Sequence, residues 1–362
     1  MRIGFIVPYL YRFQRGIESS ACCLASALAE DGHAVTILTW AQRPRSSQPV
    51  LSPLVEVRSV PYFRYFRERI AAPFYRSYLR KGRFDLLNIY FADCGEANAI
   101  RKTKRSLGYR VQFIAGYPPD LVPHRYEAFD RLGITSLVDR VVAKSPAMVE
   151  GIAGRMGRPT VMIPNGVDIG YFAPDSFPRE ECRRALGIGA TENLIVSVAA
   201  LEERKGLQYL LRALPSLLGQ GRKVKYLIAG VGSFQTQLEI ESAKLGVEDA
   251  VRFLGNVEDV RPVLGAADVF SLLSRGEGFP NALLEAWAMD LPALVSQHPP
   301  YPDIVSDQLG LLVNETDTGS VVRALEQLLA SDLSERGTRR THVANRYRWS
   351  RIATEIIQQE SD

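Results

Sequence analysis

Short apolar runs alternate with stretches of helical periodicity along the whole chain, and this alternation constrains the fold more than any other feature. Strand-length runs at 3–7, 34–39, 54–60, 84–90, 109–115, 140–143 and 161–164 are separated by amphipathic stretches such as 17–30, 94–107 and 146–156. Gly32 and His33 stop the first of these helical patterns. Buried strands joined through crossover helices form parallel sheets covered on both faces. A second series follows a segment at 165–178 rich in Gly, Asp and Pro, with strands expected at 194–198, 224–229, 251–254, 269–273 and 293–296. Each series is long enough for its own doubly wound domain, in which ligands sit outside the carboxyl ends of the strands. The division expected is 1–170 for an acceptor-binding domain and 171–342 for a donor-binding domain, the two facing one cleft. The tail at 343–362, with Trp349, Ile352 and Ile356 at helical spacing, is expected to form a final helix packing back on the first domain.

A chain of 362 residues exceeds one ordinary core, and 46% apolar with 23% charged residues is a globular composition. The net charge of +4, from 44 basic and 40 acidic residues, is too small for the sequence-wide basicity of a nucleic-acid binder. No nucleic-acid partner is expected, and any basic site must be local. Cys22, Cys23, Cys94 and Cys182 lack zinc-ligand spacing and read as free thiols of a reducing cytoplasm. The opening apolar run breaks at Pro8, too soon for a signal peptide, and no run reaches the roughly 20 apolar residues that span a bilayer. The expected location is cytoplasmic, with peripheral contact at the inner membrane face open.

The richest stretch for chemistry is 271–286, Ser-Leu-Leu-Ser-Arg-Gly-Glu-Gly-Phe-Pro-Asn-Ala-Leu-Leu-Glu-Ala. A strand ends at Leu273, a loop carries Gly276 and Gly278, and Pro280 is expected to open a helix in its first turn. Free N–H groups and the positive dipole end there suit a phosphate. Glu277 and Glu285 repel phosphate but accept hydrogen bonds from the hydroxyls of a sugar or ribose. A capped helix whose glutamates face water has the same spacing. Arg204 and Lys205, after the strand at 194–198, place cations where a diphosphate could be neutralised, and equally read as a surface charge cluster. Gly16, in Arg15-Gly16-Ile17-Glu18-Ser19 after the first strand, allows backbone approach at a helix start, or is a structural turn.

In order along the chain, these stretches resemble glycosyltransferase family 4. The resemblance runs through Gly16-Ile17-Glu18, Ile163-Pro164-Asn165-Gly166-Val167-Asp168, Arg204-Lys205-Gly206, Ala229-Gly230-Val231-Gly232-Ser233, Phe253-Leu254-Gly255, the Glu277 to Glu285 spacing and Gly310-Leu311-Leu312-Val313. It implies a GT-B fold of two Rossmann-like domains, no cofactor, and a sugar carried on a nucleotide diphosphate. It further implies that Glu277 holds donor sugar hydroxyls, Glu285 the ribose hydroxyls, and Lys205 the diphosphate. Amide groups over Gly278, Phe279, Asn281, Ala282 and Leu283 would help, Leu254 to Val257 would border the base, and Gly16 would lie near the phosphates. Retention of anomeric configuration is implied too, by front-face attack with no protein nucleophile. Two residues depart from the family pattern. An arginine usual in the family is replaced by Ala200, for which Arg204 is the expected substitute. A usual histidine is replaced at Ala115-Gly116-Tyr117, leaving Tyr117 and His124 as acceptor-side candidates. No Asp-x-Asp stands at a strand end, so no metal is expected.

On the acceptor side, 61–84 mixes Arg64, Arg67, Arg69, Arg76, Arg80, Lys81 and Arg83 with rings including Tyr62, Phe63, Tyr65, Phe66, Phe74, Tyr75, Tyr78 and Phe84. That mixture suits an anionic membrane surface or a lipid-linked acceptor, and equally a crossover helix with its rings in the core. The loop at 116–124, with three prolines, is expected to shape an acceptor pocket. A nicotinamide-dependent dehydrogenase lacks its Gly-x-Gly-x-x-Gly here. A nucleotide-sugar epimerase of the same fold and a non-catalytic sugar-nucleotide binder are the alternatives that remain.

Overall fold

The structure is a computed structural model and describes residues 1–10, 16–41, 51–61, 67–90, 92–330 and 337–358. Arg15, Tyr62, Phe63, Arg64, Tyr65, Phe66 and Gln359 lie outside these residues, as do the side chains of Arg67 and Arg69. The chain divides into two compact units, Met1–Gly166 with Trp349–Asp362, and Val167–Arg348. The division therefore falls between Gly166 and Val167, inside the 165–178 segment that the composition singles out and four residues before the boundary expected at 170.

The first unit is built on strands β1 (Arg2–Ile6), β2 (Ala34–Trp40), β3 (Glu56–Val60), β4 (Leu86–Ile89), β5 (Arg110–Ile114), β6 (Arg140–Ala143) and β7 (Thr160–Met162). They form one parallel sheet in the order β3-β2-β1-β4-β5-β6-β7. The order reverses at β1, so the switch point lies between β1 and β4. β1, β2, β4 and β5 are almost continuously buried, as parallel strands covered on both faces must be. The helix Gly16–Glu30 packs Ala21, Leu24, Ala25 and Leu28 into one face, where Ile3, Phe5, Ile37 and Ile114 also converge. Helices Cys94–Leu107 and Pro146–Met156 cover the other face, with Ala97, Ile100, Met148 and Ile152. The described rings of the 61–84 stretch divide: Tyr75 and Phe84 are core residues, whereas Phe74 is exposed, as are Arg80, Lys81 and Arg83.

The second unit holds β8 (Asn193–Val198), β9 (Val224–Ala229), β10 (Val251–Gly255), β11 (Val269–Leu272), β12 (Ala293–Ser296) and β13 (Gly310–Val313). This sheet is also wholly parallel, in the order β10-β9-β8-β11-β12-β13, with its switch point between β8 and β11. Helix Leu207–Gly219 buries Leu210, Leu211, Leu214 and Leu217 on one face, and helix Asn281–Ala288 buries Leu283, Leu284 and Trp287 on the other. The Trp287 indole N–H donates to the Leu309 carbonyl at 3.0 Å, so a fully buried ring keeps its polar edge paired.

The tail corrects one expectation. It is not a single helix from 343. Val343 belongs to the helix Thr338–Arg346 and is buried in the second unit, tied there by the Val167 N–H to Tyr347 carbonyl bond at 2.7 Å. Only the helix Trp349–Gln358 returns to the first unit, where Trp349, Ile352 and Ile356 fall on one face against the helix Gly16–Glu30. Tyr347 and Arg348 separate the two helices, and Tyr347 has non-helical backbone angles. With Ile352 fully buried, Ile352→Ala should cost about 2–5 kcal/mol of first-unit stability. Urea titration followed by fluorescence should show a lowered midpoint; an unchanged midpoint would contradict the packing.

Candidate functional site

In the second unit, two loops that leave neighbouring strands at the switch point are knitted together. One follows β8 and forms a short 3-10 turn, Glu203–Lys205; the other follows β11 and runs from Leu273 to Pro280. Gly206, at φ +71°, lies so close to the second loop that a Cβ would stand 2.0 Å from the Leu273 carbonyl oxygen. Only glycine suits both that conformation and that approach. The Arg275 N–H then donates to the Arg204 carbonyl at 2.8 Å, and the Arg204 guanidinium donates to the Gly276 carbonyl at 2.8 Å.

These bonds put Lys205 against Glu277, its ammonium donating to the carboxylate Oε1, while Arg204 Nη1 stands 3.9 Å from Oε2. Arg204 is shared with Glu202 through Nε at 2.9 Å. Glu277 is buried, so this is a desolvated pair that loses much if either partner is removed. An ammonium has three donors, and Lys205 commits one to Glu277.

The following helix starts one residue later than its proline suggested. Pro280 is the N-cap, at φ −84° and ψ 99°, and Asn281 is the first helical residue. The Leu283 and Leu284 N–H groups both turn back to the Pro280 carbonyl, at 3.1 and 3.4 Å. Leu283 therefore has no amide to offer a ligand, contrary to expectation, and its side chain is core. Among the described residues no partner takes the N–H groups of Gly278, Phe279 or Ala282. The Phe279 ring packs inward on Tyr347 at 5.6 Å, so only its backbone faces the site.

Glu285 lies half-buried on the same helix, between fully buried Leu284 and Ala286. Its carboxylate has no hydrogen-bond partner among the described residues, and desolvation pushes its carboxyl up to about 7. Such a group gains most from a ligand that donates hydrogen bonds. Leu254, in β10, and Val257, two residues beyond it, pack with Ala282 against the apolar cluster that includes Leu283.

Sequence reasoning missed the layer beneath these loops. Tyr301 is fully buried, and its phenol is pushed well up, first by burial and then by the Glu277 charge. The Ser296 hydroxyl donates to the Ser274 carbonyl at 2.6 Å, and buried Glu315 accepts from Arg275 at 3.1 Å and pairs with His298 at 3.0 Å. The available signal was position: Ser274, Ser296 and Glu315 all stand at or just beyond the carboxyl ends of β11, β12 and β13.

Gly16, Tyr117 and His124 belong to the first unit. Gly16 is exposed as the first residue of its helix. The neighbouring Ile17, with Tyr90, Phe113, Gly116, Tyr117 and Tyr126, lines a cavity of about 20 Å³. Arg125 lies over the Tyr117 ring at 5.7 Å, and the Tyr126 hydroxyl donates to the Tyr117 carbonyl at 2.8 Å. His124 is not on a loop: it is an exposed residue of the helix Pro123–Arg131, outside that cavity.

Among the described residues no cluster of His, Cys, Asp or Glu could hold a metal ion, and no helix is long and apolar enough to cross a membrane.

Comparison with known proteins follows the same division. Residues 14–171 match the family description Glycosyltransferase Family 4, and residues 178–347 match Glycosyl transferases group 1. The chain is 27% identical to the phosphatidyl-myo-inositol mannosyltransferase of Mycolicibacterium smegmatis, covering 99% of this chain and 92% of that one. It is 24% identical to the GPI3 subunit of the Saccharomyces cerevisiae phosphatidylinositol N-acetylglucosaminyltransferase, over 98% and 82%. Among solved structures, sucrose-phosphate synthase from Thermosynechococcus elongatus superposes with a TM-score of 0.78 at 19% identity, covering 99% and 98%. Anabaena HepE in complex with UDP and glucose superposes with a TM-score of 0.77 at 18% identity, over 100% of both chains. These likenesses give the two parallel-sheet units the GT-B fold.

Two outcomes test the site's construction. Gly206→Ala should displace the Lys205 turn by the order of 1 Å and lower turnover about 10²-fold, read as kcat with the fold checked by circular dichroism. Glu285 has a folded-state carboxyl above its unfolded value, so the native state holds the extra proton and stability falls as pH rises from about 4.5 through 7. Glu285→Gln should flatten that part of the wild-type stability profile, measured by denaturation across this range; a superimposable profile would refute the burial of the charge. With both halves of the chain matched and the loops so built, the protein is a glycosyltransferase of family 4.

Proposed function

We propose that this glycosyltransferase moves a hexosyl group from a UDP- or GDP-sugar to a lipid-linked or phosphate-bearing acceptor, with retention of configuration and without a metal. The observation that carries the donor half is the Lys205–Glu277 pair beside the amides of Gly278, Phe279 and Ala282. Diphosphate charge is met by the remaining Lys205 donors, by Arg204 and by a helix start, so cations and dipoles do what a metal does elsewhere. Glu277 and Glu285 take hydroxyls of the sugar and ribose, and the pushed-up carboxyl of Glu285 is relieved when the ribose donates to it.

In this reading the bond from the anomeric carbon to the diphosphate oxygen breaks with its electron pair leaving on the diphosphate. The acceptor hydroxyl forms the new bond on the same face and gives its proton to a leaving phosphate oxygen. Lys205 and Arg204 hold the charge that develops there. Arg204 stands beside the carboxylate that Lys205 binds, which supports its substitution for the arginine missing at Ala200.

The acceptor half rests on relatives whose names specify phosphatidylinositol-type acceptors. Exposed Phe74, Arg80, Lys81 and Arg83 would face an anionic surface, and the proposed location is the cytoplasmic face of a membrane.

Lys205→Ala should lower kcat/KM by about 10²–10³, and Glu277→Gln should lower it comparably. Wild-type turnover of UDP- and GDP-sugars, with phosphatidylinositol vesicles as acceptor, should survive excess chelator, and proton NMR should show the donor's anomeric configuration in the product. Activity abolished by chelator and restored by manganese would overturn the metal-free reading. An inverted product would overturn retention.

A further inference from the structure

Among its described residues the first unit contains a buried cation with no counter-charge. Lys144 directly follows β6, is 3% exposed, and has no hydrogen bond or ion pair among the described residues. Every strand of this sheet is parallel, so the carboxyl ends share one edge, the edge at which doubly wound sheets bind ligands. The backbone around Lys144 is fixed from both sides. The Ala115 N–H donates to the Val142 carbonyl at 3.0 Å, and the Ile163 N–H donates to the Ala143 carbonyl at 2.9 Å. The chain thus leaves β5, β6 and β7 side by side, and two more buried polar residues accompany Lys144 there, Ser145 at 1% exposed and Asn165 at 8%.

A lone buried ammonium is among the most costly groups a fold can hold, and lysines are almost never fully buried unless paired. A methionine would fill the same volume without the cost. Burial alone pulls the Lys144 ammonium down to about 7, with no carboxylate acting against it. An arriving anion would supply the missing charge and favour the protonated form. The second unit shows the contrast: there Lys205 and Arg204 already have carboxylate partners.

We infer that Lys144, with Ser145 and Asn165 at the carboxyl edge of the first unit, receives a phosphate group of a substrate. The choice of phosphate rests on the proposed chemistry, in which both substrates carry one. The donor diphosphate and the acceptor phosphate are two sources of the same group, and the test separates them.

Protein labelled at lysine ¹³Cε gives a Lys144 resonance, assigned by its loss in Lys144→Met. Titration with inorganic phosphate should move that resonance saturably toward the ammonium position. If UDP or GDP moves it at tenfold lower concentration, the donor is the source; if the nucleotides move Lys205 alone, the source is the acceptor. A Lys144 resonance indifferent to phosphate, UDP and GDP would overturn the inference. The titration reads a side chain and not turnover, so its result stands apart from whether sugar is transferred. In steady-state assays with phosphatidylinositol vesicles, Lys144→Met should raise one substrate's KM at least tenfold without lowering the melting temperature. A more stable variant with both KM values unchanged would assign Lys144 a packing role and also overturn the inference.

Discussion

The second unit is organised around one close approach, that of Gly206 to the end of β11. Two loops from strands adjacent at the switch point must touch for a cation on one to reach a carboxylate on the other. Their contact is made at backbone level, with no room for a side chain. The Arg204 and Gly276 carbonyls, which would otherwise be orphaned at a sheet edge, are satisfied across that contact. The ion pair therefore inherits its geometry from the main chain. The supporting layer of Ser274, Ser296 and the Arg275–Glu315–His298 group fixes the second loop, so Glu277 is held by its own segment as well as by Lys205.

The two glutamates of this segment are the same residue type in opposite electrostatic settings. Glu277 is buried but charge-compensated, with an ammonium in contact and a guanidinium at 3.9 Å. Glu285 is less buried by area yet has no hydrogen-bond partner, and desolvation acts on it alone. A carboxylate already satisfied can orient a ligand hydroxyl at little change in its own energy. A carboxylate in want of donors gains from the ligand itself. On the proposed donor reading, Glu277 acts through position and Glu285 contributes affinity, although both lie on one loop-and-helix segment.

Much of this architecture was legible in the sequence because parallel sheets advertise themselves: buried strands are short apolar runs, and the helices between them carry a different period. The helices at 94–107 and 146–156 and the strands at 224–229 and 293–296 were readable to the residue, bounded by Asp93, Ser145 and the polar turns around them. The Glu277 and Lys205 positions were legible as motifs, but their pairing was not, since nothing in spacing shows that two positions 72 apart in sequence are folded together. The tail at 343 was misread because Val343 and Trp349 continue one apolar rhythm while Tyr347 breaks the backbone between them. His124 was misread because Pro123, taken as a loop proline, sits at a helix start. Ser274, Ser296 and Glu315 were invisible because a serine or glutamate after a strand is ordinary until its neighbours are known.

What separates the two units chemically is how each treats a positive charge. In the second, Arg204, Lys205 and Arg275 each already have an acceptor, and the groups left unclaimed among the described residues are backbone amides and one carboxylate. In the first, the carboxyl edge holds aromatic rings and a lysine that no acidic group among the described residues answers. A fold under no demand for that charge would relax it toward an apolar residue, because the desolvation cost is continuous and the replacement fills the space. The same argument does not apply to Arg183 in the second unit. It too is buried, but Asp268 at 3.4 Å and the Ala266 and Gly189 carbonyls at 3.0 and 2.8 Å account for it within the fold. The charge of Arg183 is thus accounted for within the fold, whereas that of Lys144, like the carboxylate of Glu285, is answered on the proposed reading by a ligand.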